Sequence, residues 1–173
     1  MAILEDVLAP NLDVVFCGTA VANASAARGH YFAGPGNMFW KFLHGAGFTP
    51  VQLTPDQDQE LPKYGVGITD LVKNVAQSHD RGLNFAAAPD LERCLEPFAP
   101  KWVAFAGLRA GAEGARAFGH PAPRHGAQDW SIGGLRVFVV TNPSGAAADR
   151  KTWDGKTAEI DWWHELAALI ASK

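Results

Sequence analysis

The sequence predicts an α/β fold in which a mostly parallel sheet is covered by helices on both faces. Three observations carry this reading: short apolar runs of strand length, helical stretches between them, and glycine-rich or polar segments directly after each run. Strands buried on both faces read as nearly continuous apolar runs, and their alternation with helices is the pattern that builds a parallel sheet.

Leu12-Asp13-Val14-Val15-Phe16-Cys17 is the first run and ends at Gly18. A loop rich in Gly, Ala and Pro extends from Thr19 to Gly36. Asn37 then precedes the apolar stretch Met38 to His44, which stops near Gly45 and Gly47. Asparagine as N-cap and glycine past the end predict a helix there. Pro50 to Pro62 is acidic and polar and reads as a surface loop or short helix. Tyr64 to Val72, with Gly65 and Gly67, reads as an exposed turn beside the core. Pro89 to Phe98 reads as a helix with Leu91, Cys94 and Leu95 on one face.

Trp102 to Ala106 is a second buried strand, ending at Gly107. The alanine-rich stretch Leu108 to Phe118 is helical, although Gly111 and Gly114 weaken it. Leu135 to Val140 is a third strand and runs into Thr141-Asn142-Pro143-Ser144-Gly145. A last amphipathic helix covers Thr157 to Ala171, with Ile160, Trp163, Ala167 and Ile170 as its apolar stripe.

The composition, 47% hydrophobic and 19% charged over 173 residues, is that of a globular chain and fits one domain spanning residues 1–173. No apolar run is long enough for a membrane helix, and Glu5 and Asp6 take the place of a basic leader, so a cytoplasmic protein without membrane contact is expected. Two cysteines, Cys17 and Cys94, are too few for a disulfide framework or a cysteine-based metal centre, and no metal or organic cofactor is expected. The net charge of −3 argues against a nucleic-acid partner, but its distribution does not. From Lys101 to Lys156 there are eight Lys or Arg against four acids (+4), leaving seven basic and fourteen acidic residues elsewhere (−7). Such asymmetry either forms a positive patch or scatters over the surface.

Ligands of open parallel sheets bind beyond the carboxyl ends of the strands, where the segments after Cys17, Ala106 and Val140 fall, and three segments of the chain stand out. Gly18-Thr19-Ala20-Val21-Ala22-Asn23-Ala24-Ser25 has small residues that let backbone N–H groups approach a ligand, as in a phosphate or oxyanion cradle, yet it lacks the dinucleotide and Walker patterns. A tight turn without a ligand is its bland alternative. Tyr31 to Trp40 offers Phe32 as a stacking surface for a planar ligand, with Phe39 and Trp40 assigned to the core and Asn37 as a possible helix cap. Asn142-Pro143-Ser144-Gly145 is a turn sequence at the mouth of a strand.

Together these segments resemble the uracil-DNA glycosylase superfamily, most closely its mismatch-specific uracil/thymine branch. The likeness rests on Gly18-Thr19-Ala20-Val21-Ala22, on Gly34-Pro35-Gly36-Asn37-Met38-Phe39-Trp40 at matching spacing, on Gly65-Val66-Gly67-Ile68-Thr69-Asp70-Leu71-Val72, and on Asn142-Pro143-Ser144-Gly145, four boxes in the family's order. It implies a three-layer αβα sandwich around a mostly parallel four-stranded sheet. It also implies a monomeric enzyme that flips uracil, or another deaminated base, out of single- or double-stranded DNA and hydrolyses the N-glycosidic bond to initiate base excision repair. By this resemblance Gly18, Thr19, Ala20, Phe32 and Asn142 bind the base. The same resemblance implies that Ser25, Ser144, Gly145, Ala146 and Arg150 contact the DNA.

The departures from the family pattern are specific. Where the mismatch-specific branch carries a water-activating asparagine, this chain has Ala20, whose methyl group orients no water. Asn37, Asp70 and Asn23 are the candidates for that task, Asp70 as a carboxylate and the other two as amides. Many superfamily members have a histidine where Asn142 stands. The bulky wedge and arginine that follow the last glycine in that branch are replaced by Ala146-Ala147-Ala148, with Arg150 downstream and Arg150 or Trp153 as substitutes. Alanine is a poor plug for the gap left by an extruded base, so little dependence on the opposite strand is expected. Two other functions fit the same boxes: a lesion-binding protein that does not cleave, and a nucleotide-binding α/β protein with Gly18 to Ser25 as a phosphate cradle.

Overall fold

The structure is a computed structural model that describes residues 1–144 and 153–172. Its centre is a five-stranded sheet: β1 (Val14–Gly18), β2 (Val66–Asp70), β3 (Trp102–Ala106), β4 (Gly126–Ile132) and β5 (Leu135–Val140), in the spatial order β2-β1-β3-β5-β4. All neighbours are parallel except the β4–β5 pair. The α/β class is as expected, and the strand count is five where four were expected.

Side chains alternate across each strand, and this alternation divides the core in two. Val14 and Phe16, Trp102 and Ala104, Phe138 and Val140 face one side, with α2 (Phe39–Gly45) and α5 (Ile160–Ser172) packed over them. Val15 and Cys17, Val103 and Phe105, Val137 and Val139 face the other, against α3 (Asp90–Leu95) and α4 (Leu108–Ala117). Aromatic rings build the first side: Phe16 stacks on Trp163 with centroids 5.1 Å apart and meets Phe39 edge-on at 5.5 Å.

Two expectations are corrected. Residues 64–72 do not form an exposed turn. Val66–Asp70 is a buried edge strand, and Gly67 is there because a Cβ would lie 2.6 Å from the Val7 carbonyl of the N-terminal segment that bridges Ile68. Gly65 is the turn residue, at φ 76° beyond the 3-10 helix Pro55–Tyr64. The second correction is β4, which joins β5 through Gly133 and Gly134, both at positive φ, a two-residue turn that glycine pairs favour.

The glycines of α4 also have a reason. A Cβ on Gly114 would run into the Phe105 ring, so the position gives up helix propensity to let α4 lie close on β3. Among the described residues, five of the six Lys and Arg of the basic stretch 101–156 are in ion pairs, and Arg136 lies over the Trp102 ring. Lys101 pairs with Asp13, Arg109 and Arg116 with Glu113, Arg124 with Asp154, and Lys156 with Glu165. No helix among the described residues is long and apolar enough to cross a membrane.

Candidate active site

A cavity of about 560 Å³ opens beyond the carboxyl ends of β1, β2, β3 and β5. Its wall gathers residues from all four expected segments: Gly18, Thr19, Ala20 and Ser25; Phe32 and Asn37; Asp70; Asn142 and Ser144. Asn23 is not among them. It is exposed at the start of the short helix α1 (Asn23–Arg28), where its backbone N–H donates to Ser78 Oγ at 3.2 Å. Gly145, Ala146 and Arg150 lie outside the described residues. Trp153 is half-buried, and its carbonyl accepts the Trp162 indole N–H at 2.7 Å.

Asp70 ends β2 in register with Gly18 on β1. The two are so close that a Cβ on Gly18 would sit 2.7 Å from Asp70 Oδ1. Asp70 is only 6% exposed, and among the described residues no group donates a hydrogen bond to its carboxylate. Burial pushes its pKa up to about 8. Lys73 pulls against that rise, while Asp6 adds to it. Lys73 Nζ is itself held by both Asp6 oxygens at 2.9 Å.

Phe32 has φ +52°, a left-handed conformation rare for a bulky residue. Its neighbours hold it there. Tyr31 N–H donates to Asp58 Oδ2 at 3.1 Å, Ala33 N–H to Ser25 Oγ at 3.0 Å, and the Trp40 indole to the Tyr31 carbonyl at 3.3 Å. One face of the Phe32 ring lies against Phe39, with centroids 4.1 Å apart and planes 16° from parallel. Ser25, expected to contact DNA, is buried at the cavity wall, where its Oγ braces the Phe32 loop.

The two asparagines share one arrangement. Asn37 Oδ1 accepts the Phe39 N–H and Asn142 Oδ1 accepts the Ser144 N–H, each at 2.9 Å. Both carbonyl ends are committed to the backbone two residues on, which fixes the amide orientation. Both residues line the cavity, and with Oδ1 so engaged the NH₂ is the donor each has left. Met38 N–H to the Pro143 carbonyl, 2.7 Å, locks the two turns together. Among the described residues the Thr19 and Ala20 N–H groups also find no protein acceptor. The cavity so combines an aromatic face, several hydrogen-bond donors and a bare buried carboxylate.

Residues that sequence reasoning missed complete the wall: Gln77, Ser78, His79 and Asp80 from the loop after β2, and Arg109 at the start of α4. Arg109 was legible as the charge following Gly107, the glycine that ends the second predicted strand. The loop had no apolar period to mark it. It is tied down by Gln77 N–H to the Val21 carbonyl at 2.8 Å and by Thr19 Oγ1 to Asp80 Oδ1 at 2.6 Å.

The sequence matches the family model of the uracil DNA glycosylase superfamily over residues 5–167. Among solved structures, the chain is similar to the solution NMR structure of a Methanosarcina acetivorans protein provisionally named a uracil DNA glycosylase. The TM-score is 0.59 at 20% sequence identity, with 96% of each chain covered. At that identity the likeness speaks to the fold.

Proposed function

Because the chain belongs to the uracil DNA glycosylase superfamily, we propose that it excises uracil from DNA, with Asp70 as the group that activates the attacking water. The observation that carries this reading is the undonated Asp70 carboxylate, held over Gly18 at the floor of a cavity that also presents Phe32 and two amide NH₂ groups.

The base reaches the cavity only when extruded from the stack. Phe32 supplies the face on which it lies. The Asn37 and Asn142 amides and the Thr19 and Ala20 N–H groups donate to the base carbonyls, and these bonds strengthen as the departing base takes up negative charge. The N-glycosidic bond breaks as water attacks C1′, and Asp70 in its ionised form accepts the water's proton. Asn37 is the weaker candidate for that step, since its carbonyl already binds the Phe39 N–H. The product is a baseless site, the start of base excision repair. Within the superfamily we place the chain nearest the mismatch-specific branch, with Asp70 doing the work for which Ala20 is unsuited.

The test is release of free uracil from labelled oligonucleotides, single-stranded and paired with guanine or adenine. Release from all three supports the reading. Tight binding to uracil-DNA with no release would favour a lesion-binding protein, the role to which Ala20 lends support.

A further inference from the structure

We propose that Asp80, oriented by Thr19, is a specificity-determining residue that accepts a hydrogen bond from a ring N–H of the base in the cavity. The inference rests on the glycosylase reading and names an edge of its substrate. Thr19 Oγ1 donates to Asp80 Oδ1 at 2.6 Å, which fixes one carboxylate oxygen. Among the described residues no donor or cation is recorded on the other oxygen, and Asp80 borders the same cavity as Phe32 and Asp70.

The loop carrying Asp80 is held in place. Ala76 bridges Val21, Gln77 N–H binds the Val21 carbonyl at 2.8 Å, and Gln77 Nε2 donates to the carbonyls of His79 and Arg81 at 2.7 and 2.6 Å. A carboxylate accepts and never donates when ionised, so its complement on a base is an N–H. The rest of the wall is rich in donors that suit base carbonyls. An acceptor among them selects a base with a ring N–H beside a carbonyl, such as N3–H of uracil or N1–H of hypoxanthine. Sites built to pair a substrate N–H reject analogues that lack it more strongly than apolar pockets reject a change in size.

The experiment uses the full chain and single-stranded oligonucleotides carrying 2′-fluoro-2′-deoxyuridine, whose fluorine slows base loss, or its N3-methyl derivative. Wild type is expected to bind the unmethylated probe about 10- to 100-fold more tightly, the worth of one hydrogen bond to a charged acceptor. In Asp80→Asn, Thr19 still holds the amide oxygen and turns the NH₂ toward the base, so the ratio falls to near one. Adding Thr19→Val frees the amide to rotate and recovers part of the preference. A loop-tying role alone would lower both affinities equally and give no recovery. An unchanged ratio in Asp80→Asn overturns the proposal. Base release from ordinary deoxyuridine is measured in parallel, so that a wild-type preference abolished by Asp80→Asn, with no release, counts against the glycosylase reading and for the role of Asp80.

Discussion

Gly18 and Asp70 face each other across β1 and β2, and the missing side chain of one makes room for the carboxylate of the other: a Cβ on Gly18 would lie 2.7 Å from Asp70 Oδ1. This contact defines the floor of the cavity. It also separates backbone that any small residue could provide from backbone that only glycine allows.

Gly18→Ala should therefore push Asp70 aside while leaving the sheet intact. Displacement of a catalytic group by about 1 Å costs roughly 100-fold in rate. Single-turnover kinetics should show that loss, and the double variant with Asp70→Ala should be no slower than Asp70→Ala alone. Additive losses would mean that Gly18 acts on something other than Asp70.

The rate should depend on pH through Asp70. In the proposed mechanism its ionised form accepts the proton, and burial raises its pKa to about 8, so kcat/KM should climb with pH and level off above that value. Removing Lys73, which favours the ionised form, should move the rising limb to higher pH in Lys73→Met, and Asp6→Asn should move it lower. A limb unmoved by both substitutions would assign it to another group.

The same carboxyl links pH to stability. The unfolded chain loses this proton near 3.8 and the folded chain near 8, so the folded state is progressively disfavoured as pH rises through that window, and the full loss is present above it. Asp70→Asn removes the penalty. Its melting temperature should match wild type near pH 4 and exceed it near pH 9, by on the order of a few kcal/mol in stability. Thermal denaturation at the two pH values checks this, and an equal offset at both would contradict it.

Gly114→Ala reverses the usual expectation for a helix interior. Propensity alone would stabilise by about 1 kcal/mol. Because the new Cβ meets the Phe105 ring, the substitution should instead destabilise by about 1–3 kcal/mol in urea unfolding.

How much was legible in the sequence follows from where each signal lay. β1, β3 and β5 were readable because strands buried on both faces leave continuous apolar runs, and α4 and α5 because their helical period is long enough to count. β2 was misread because Gly65 and Gly67 look like a turn. Only the fold shows that the second of them serves a close approach by the N-terminal segment. β4 alternates buried and exposed residues over a short span, and its clearest signal is the Gly133-Gly134 pair.

For the site, the strand-end rule located the Gly18–Ser25 and Asn142–Ser144 parts of the wall, and the family resemblance added Asn37 and Asp70. It did not find Asp80, whose placement depends on Thr19, 61 positions away in the chain. Nor did it show that Ser25 is spent inside the Phe32 loop, which depends on a contact with the Ala33 N–H. The choice between Asn37 and Asp70 was equally beyond reach, because it turns on which polar atoms the backbone has already taken.

The most direct measurement is the single-turnover rate of uracil release from a single-stranded oligonucleotide by wild type, Asp70→Asn and Asn37→Ala at pH 8.5, chosen to lie above an Asp70 pKa of about 8. Loss of a positioned general base predicts a fall of about 100- to 10,000-fold for Asp70→Asn. For Asn37→Ala the loss should be nearer 10- to 100-fold, the scale of one hydrogen bond to the leaving base. Full activity in Asp70→Asn would contradict the assignment of the water-activating group to Asp70.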